Sequence, residues 1–182
     1  GLPATVVYFD EVLRVTDKQP PVSATGDAPL NLLAYVGAEV RLDFSAGENR
    51  IAYRSFDKPE ASVLDSKTGA FSWNPTETGD CVFVVEATDG DIVTPKKVAI
   101  SVVADRATAL ENIKTGHDAK TVYVEASMER CKALQARALK TLKTATDAEF
   151  FSMLVELKAA VDALEPLTPL LADGSMDFPK LV

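Results

Sequence analysis

The chain has 182 residues, an apolar fraction of 47% and a formal net charge of -8. The acidic balance argues against nucleic acid and against an anionic membrane surface as partners, because affinity for both comes from Lys and Arg. No apolar run approaches the roughly 20 residues that span a bilayer, so we expect no membrane insertion.

The hydrophobic pattern divides the chain into four segments, and this length suits two small domains. Residues 1–33 are predicted to hold an N-terminal strand and a linker, and residues 34–104 a β-sandwich. Residues 105–168 are predicted to form a helical bundle, and residues 169–182 a linker or the start of a following domain. The chain begins without a signal peptide, and residues 169–182 resemble the start of a further domain rather than the end of one. We therefore interpret the chain as a fragment of a longer polypeptide.

Residues 4–16 have the apolar spacing of a strand, interrupted at Asp10 and Glu11 as a bulge would interrupt it. Two interpretations stay open: this is the first strand of the sandwich, or the last strand of a preceding carbohydrate-binding β-sandwich, which it resembles. Residues 22–33 are predicted to be a linker.

Between residues 34 and 104, apolar and polar side chains alternate as in half-buried strands. Short strands separated by turn signals are typical of an antiparallel sandwich. The predicted strands cover residues 35–44, 51–56, 61–64, 71–73, 81–87 and 97–103.

Two stretches of this segment resemble a known family. Residues 67–75 read Lys-Thr-Gly-Ala-Phe-Ser-Trp-Asn-Pro, a turn, a strand and a turn, and residues 87–90 read Ala-Thr-Asp-Gly at a strand end. Both are similar to the immunoglobulin-like and cadherin-like modules of large secreted bacterial proteins, often polysaccharide-degrading ones. The resemblance implies an immunoglobulin-like sandwich over about residues 34–104 that spaces, orients or binds.

At Asp105 the hydrophobic period changes from about 2 to about 3.6 residues. Asp105 is predicted to cap a short helix that ends at Gly116, and a long helix follows at about 119–144. Thr146 and Glu149 have the spacing of a capping box, which predicts the start of a third helix. The predicted fold class is therefore mixed all-β plus all-α: an antiparallel immunoglobulin-like β-sandwich followed by a small three-helix bundle.

The third helix carries an apolar stripe, which predicts that this face of the helix packs against another part of the chain. Its members are Phe150, Leu154, Leu157, Val161 and Leu164. We expect the stripe to pack on the preceding helix, at Val124, Met128, Leu134 and Leu142.

Cys81 and Cys131 fall in different predicted segments, and two cysteines do not imply a disulfide framework. A bond between them is one alternative, but we expect two buried thiols. His117, the single histidine, is expected to be a solvated loop residue rather than a catalytic base, and two Cys with one His offer no metal-ligand spacing.

Glu86, Asp89 and Asp91 form an acidic group at a strand end. It is either a calcium site, as in cadherin-like modules, or, as we prefer, a turn in which Asp89 binds its own backbone. Trp73 is either a sugar-stacking platform or, as we expect, a core residue beside Phe71.

No acid pair, nucleophile motif or phosphate loop stands out, so we expect no catalytic, cofactor-binding or metal-binding residues. The favoured function is a non-catalytic connector of a secreted or cell-surface multimodular glycan-degrading enzyme, partnered by neighbouring domains of the same protein. The alternative is a carbohydrate- or surface-binding module, with polysaccharide as the partner.

Overall fold

The structure is a computed structural model, and it describes residues 19–26, 28–45, 52–115 and 122–167. The strands are β1 (Val22–Ser23), β2 (Leu30–Tyr35), β3 (Val40–Asp43), β4 (Ala52–Phe56), β5 (Val63–Leu64), β6 (Ala70–Trp73), β7 (Gly79–Thr88) and β8 (Val93–Val103). The helices are α1 (Arg106–Thr115), α2 (Glu125–Thr141) and α3 (Asp147–Asp162). The predicted strand at 4–16, the tail at 169–182 and His117 lie outside the described residues.

The strands form two four-stranded sheets, in the orders β1-β3-β6-β5 and β2-β8-β7-β4. We call them the first and the second sheet. Most neighbours are antiparallel, but β1 pairs with β3, and β2 with β8, in parallel. Both sheets are therefore mixed, which corrects the prediction of a purely antiparallel arrangement.

Strand β1 and the first four residues of β2 lie within residues 22–33, which the sequence predicted to be a linker. β1 has only two residues, too few for a periodic signal. β2 contacts α1 and α3 as well as β8, so its side chains do not alternate between core and solvent. This is why the strand lacks the period of two that identified the others.

A turn at Gly37 interrupts the strand predicted at 35–44: Tyr35 is the last residue of β2, and β3 starts only at Val40. Gly37 has a φ of 86°, a left-handed conformation that glycine adopts without strain. Its N–H donates to the carbonyl O of Pro75 at 2.9 Å, and the N–H of Ala38 donates to the carbonyl O of Tyr35 at 2.9 Å.

Apolar side chains from both sheets meet in one core. Leu42 and Phe71 are opposite each other in the first sheet, and Phe83 and Val98 in the second. All four are at most 2% exposed, and the rings of Phe71 and Phe83 stack with centroids 5.1 Å apart. The alternation of apolar residues in these strands thus supplies the inner faces of both sheets.

Helices α1 and α3 begin at the predicted caps. The N–H of Thr108 donates to Asp105 Oδ1 at 2.7 Å, and that backbone hydrogen bond lowers the pKa of Asp105. The N–H of Glu149 donates to Thr146 Oγ1 at 3.2 Å, and the N–H of Thr146 donates to Glu149 Oε2 at 2.7 Å, so the capping box is confirmed. Strand β8 ends just before Asp105, as the change of period predicted.

Helix α3 contacts both other helices and strands β2 and β3, and α1 contacts β2 and β8 directly. Phe150, Leu154 and Leu157 are fully buried. Four of the five stripe residues are buried, and Leu164 is half-buried. The predicted packing on α2 is incomplete, because Phe150 also meets Tyr35 of β2 edge to face, with ring centroids 5.7 Å apart. The buried residues of strands and helices form a single cluster, and the division at 104/105 into separate domains stays a prediction.

Candidate functional site

Arg106, the first residue of α1, joins the helices to one another. Its Nη1 donates to the carbonyl oxygens of Leu142 at 3.0 Å and Ala145 at 2.9 Å. Its Nη2 pairs with Asp147 Oδ1 at 2.7 Å. One guanidinium thus satisfies two carbonyls in the turn between α2 and α3, which otherwise lack helical partners, and one carboxylate at the start of α3.

The same guanidinium also reaches the strands. It lies over the Tyr35 ring at 5.4 Å and over the Phe150 ring at 4.9 Å, both within the range of a cation–π contact. The Tyr35 hydroxyl donates to Asp147 Oδ1 at 3.0 Å and to the Asp147 carbonyl at 3.2 Å. We call Tyr35, Arg106, Asp147 and Phe150 the Arg106 junction, since they connect β2, α1 and α3.

The surroundings of the junction raise the pKa of both Tyr35 and Arg106. Burial raises the pKa of Tyr35, and the hydrogen bond to Asp147 raises it further. Burial alone lowers the pKa of Arg106, but its hydrogen bonds to Asp147 and Tyr35 and its electrostatic attraction to both together outweigh burial, so the pKa rises overall. The phenol and the guanidinium therefore stay protonated at neutral pH, which suits a structural bond rather than general acid–base work.

Sequence reasoning missed Arg106 and Tyr35, although one signal was present. A cation in the first turn of a helix is opposed by the helix dipole, so Arg at this position needs another partner to explain it. The hydrogen-bond partners are 36 to 41 residues away along the chain, in the turn before α3 and at the first residue of α3. No spacing rule connects positions that far apart.

Lys96 is a second residue that the sequence analysis missed. It lies on the buried face of β8, the same face as Val98 and Ile100, and is only 9% exposed. Its Nζ donates to the carbonyl oxygens of Thr25, Gly26 and Ala28. The ammonium holds the link between β1 and β2 against the second sheet, because a buried lysine is stable only when its donors are satisfied.

The acidic group at the end of β7 forms the predicted turn. Asp89 Oδ1 accepts from the N–H of Ile92 at 3.0 Å. Glu86 pairs instead with Arg54 of β4, at 2.6 Å from Nη2. Among the described residues, no three Cys, His, Asp or Glu side chains come together as candidate metal ligands.

Trp73 packs against the core from a half-buried position, whereas Phe71 on the same strand is 2% exposed. The full burial predicted for Trp73 is therefore corrected. Trp73 is the last residue of β6, opposite Val40 at the start of β3, so its indole lies at the end of the first sheet rather than in the middle of the core.

Cys81 and Cys131 are both free thiols, as expected, but only Cys131 is buried. Burial raises the pKa of each thiol. A thiol with a raised pKa is a weak nucleophile at neutral pH, which argues against a catalytic or redox role for either residue.

Two adjoining grooves run beside β2, where α1 and α3 approach it. Their volumes are about 300 Å³ and about 240 Å³, and they share Asn31, Leu32, Lys158 and Asp162. Lys158 and Asp162 pair with each other at 2.6 Å. Neither groove has an aromatic residue among the described side chains that line it, so these side chains provide no ring on which a sugar could stack.

The turn that carries the family resemblance is held by Asp65. Its Oδ1 accepts from the N–H groups of Lys67 at 2.8 Å and Thr68 at 3.0 Å, and these hydrogen bonds lower its pKa. Gly69 follows with a φ of 73°, and a Cβ there would lie 2.9 Å from the Tyr53 ring. The turn therefore requires both the aspartate and the glycine.

No protein-family model matches this sequence, and none of the curated proteins matches it. Among solved structures, a candidate alpha-galactosidase from Bacteroides fragilis is similar over 42% of this chain and 16% of its own, with 25% identity and a TM-score of 0.38. An endo-fucoidan hydrolase from glycoside hydrolase family 107 is similar over 48% of this chain and 16% of its own, with 18% identity and a TM-score of 0.35. Fibronectin(III)-like modules of CbhA from Clostridium thermocellum match over 42% of this chain and 92% of their own, with 23% identity and a TM-score of 0.28.

The matched region is thus about one sixth of each hydrolase. Within the described residues, none of the helices has the length and hydropathy of a membrane span.

Proposed function

We propose that this chain is a non-catalytic connector of a secreted or cell-surface multimodular glycan-degrading enzyme. Its strands form an immunoglobulin-like sandwich and its helices a small bundle, and together they hold neighbouring domains of the same protein at a fixed distance and angle. A rigid spacer of this kind keeps linked sites at a high effective concentration.

The observation that carries the proposal is the single hydrophobic core. Phe83 and Ile100 from the strands belong to the same buried cluster as Leu154 and Leu157 from α3. Two independently moving domains would each close their own core and meet through a smaller, more polar surface. The shared core therefore supports the proposal that strands and helices form one rigid unit, which would hold the neighbouring domains at a fixed distance and angle.

The link to glycans comes from the resemblance of residues 67–75 and 87–90 to modules of secreted bacterial polysaccharide-degrading proteins. The Asp65 turn and the Asp89 turn, at the two motifs, are both held by the hydrogen bonds that such turns need. Both turns are thus formed in this chain, which supports the proposal.

Several described carboxylates take part in structural bonds, which supports a non-catalytic role. Asp147 belongs to the Arg106 junction, Glu86 pairs with Arg54, and Asp162 pairs with Lys158. Glycosidic bond cleavage needs two carboxyl groups that face one cleft. These three carboxylates point to three different structural partners instead.

The alternative, a carbohydrate- or surface-binding module, is favoured by Phe56. This side chain is 48% exposed at the end of β4, and the Arg54 guanidinium lies 5.3 Å from its ring. Sedimentation with insoluble polysaccharides would detect such binding. Under the alternative, Phe56→Ala abolishes the binding without a change in stability.

The connector proposal predicts that the purified 182-residue chain has no hydrolase or lyase activity on a panel of polysaccharides. Turnover that disappears on substitution of one carboxylate would overturn it. In the sedimentation experiment with Phe56→Ala, the matched control is Val63→Ala, because Val63 is exposed on the first sheet whereas Phe56 lies in the second.

A further inference from the structure

Helix α2 and the turn after it carry a cluster of positive charge on an acidic chain. Residues 126–145 contain five Lys and Arg and a single acidic residue, Glu129, whereas the whole chain has a net charge of -8. The five cations, all exposed, are Arg130, Lys132, Arg137, Lys140 and Lys143. Exposed charges more than about 8 Å apart are largely screened at physiological ionic strength, so this local cluster governs binding at its own surface.

Most of this positive charge is not neutralised within the described structure. Lys132 pairs with Glu129 at 2.8 Å. No ion pair joins the other four cations to a described carboxylate. Arg137 lines a groove with Glu149 and Glu156 of α3, but it forms no ion pair with either. The charge is therefore free to attract an anionic ligand.

The exposed side of α2 is an alanine strip flanked by cations. The helix packs mainly on α3, through a face that includes Cys131 and Ala138. At 3.6 residues per turn, three exposed alanines lie on the opposite face: Ala126, Ala133 and Ala136. Arg130 and Arg137 follow one side of this strip, about 10 Å apart along the axis, and Lys132 lies on the other side. We call the strip and the five cations the α2 face.

The composition of the α2 face disfavours a folded protein or a membrane as its ligand. Stable protein interfaces centre on aromatic anchors and are depleted in Lys. Helix α2, which the structure describes in full, has no aromatic residue, and Leu139 is its one exposed large apolar side chain. A basic helix binds a bilayer by burying its apolar face, but the apolar face of α2 is already packed on α3.

We propose that the α2 face binds an anionic polysaccharide, which lies along the alanine strip and pairs its carboxylate or sulfate groups with Arg130, Arg137 and Lys140. The planar guanidinium groups match the paired oxygens of such anions, and the ammonium adds a point charge. A linear polyanion needs no aromatic anchor, because the release of its counterions supplies affinity. The choice of a polysaccharide rests on the proposed function, and it adds to the connector a binding site and a ligand charge.

Isothermal titration calorimetry of the 182-residue chain with dextran sulfate tests the proposal, and uncharged dextran is the ligand control. We expect binding to the sulfated polymer alone, with an association constant that falls linearly with salt concentration on logarithmic scales. The double variant Arg130→Gln, Arg137→Gln should bind about tenfold more weakly, or worse, at about 0.1 M salt, and with a shallower salt dependence.

The matched control is the double variant Lys67→Gln, Lys97→Gln. It removes the same amount of charge from two exposed positions outside the α2 face, and we expect it to bind like the parent. Circular dichroism checks that each variant is folded. If the arginine variant does not fold, Lys140→Gln with Lys143→Gln replaces it, and a loss of the same order is expected.

Three results would overturn the proposal: a parent that does not bind dextran sulfate, an arginine variant with parental affinity, or an equal loss in the lysine control. Binding to polyuridylate or polyglutamate that is as tight as binding to dextran sulfate also overturns it, because the α2 face would then serve RNA or acidic peptides. Turnover of a polysaccharide by the isolated chain would refute the connector function and leave the binding result standing.

Discussion

Tyr35 and Asp147 are 112 residues apart in the sequence, yet the Tyr35 hydroxyl donates to Asp147 Oδ1 at 3.0 Å. Tyr35 is the last residue of β2 and Asp147 the first of α3. One hydrogen bond therefore joins the sheet to the helix at the point where Arg106 also binds. The aromatic ring of Tyr35 completes the contact by packing edge to face on Phe150.

Tyr35→Phe tests this bond with the ring left in place. The variant loses the hydroxyl but keeps the contacts with Phe150 and Arg106, so we expect unfolding in denaturant to become easier by about 1 kcal/mol. An unchanged midpoint and slope would show that the hydroxyl contributes nothing to the attachment of the helices.

Leu157→Asp places an unpaired charge in the centre of α3, where Leu157 is fully buried. We expect loss of the cooperative unfolding transition for the whole chain, because the core is shared. Leu139→Asp is the matched control, since Leu139 of α2 is 50% exposed and should tolerate the charge. If the strands of the Leu157→Asp variant kept a native unfolding transition, the shared core would not act as one unit.

Lys96→Met removes the ammonium that three carbonyls share, and leaves those acceptors without their donor. We expect a loss of about 1–3 kcal/mol in the free energy of unfolding, measured in denaturant. Lys97→Met, at the exposed neighbouring position of β8, should lie within about 0.5 kcal/mol of the parent. Equal effects of the two substitutions would contradict the role given to Lys96.

Phe71→Ala and Trp73→Ala compare the loss of a buried ring with the loss of a half-buried ring on the same strand, β6. We expect a loss of about 3–5 kcal/mol for Phe71→Ala, because its ring lies between Phe44 and Phe83. Trp73→Ala should cost clearly less, because the indole is only half-buried. If Trp73→Ala kept full stability but lost binding to a polysaccharide, the indole would be a sugar-stacking residue rather than a part of the core.

The free thiols should differ in reactivity. Burial raises the pKa of both, so alkylation at neutral pH should be slow in the native chain and fast after unfolding. Cys131 should react more slowly than Cys81, because it is buried and Cys81 is only half-buried. Mass spectrometry of peptides labelled over time checks the order, and faster labelling of Cys131 would place it nearer the surface.

The sequence predicted features that depend on neighbouring residues. The capping box at Thr146, the cap at Asp105 and the turn at Asp89 all involve groups three residues apart, so their spacing is visible in the chain. The alternation in β7 and β8 was visible because one face of each strand meets the core. These local signals sufficed for strands β3 to β8 and the three helices, but not for β1, β2 or the parallel pairings.

Features that depend on distant contacts were missed. The first four residues of β2 were interpreted as linker because helices cover the strand, and the pairing of Arg106 with Asp147 joins elements that no periodicity connects. Trp73 was interpreted as core because it alternates with Phe71, yet its position at the strand end leaves it half-buried. In each case the tertiary arrangement decided the environment of a residue whose local pattern was ordinary.

The most direct test of the connector function compares two rates in the polypeptide that carries this segment. Residues 34–168 are replaced by a flexible Gly/Ser linker of equal length, and turnover is measured on a short soluble oligosaccharide and on the insoluble polymer. We predict nearly unchanged turnover on the oligosaccharide and a marked loss on the polymer, because a spacer governs how linked sites reach one polymer rather than the bond-breaking step. Equal losses on both substrates would contradict the account, since they would place the chemistry itself in this segment.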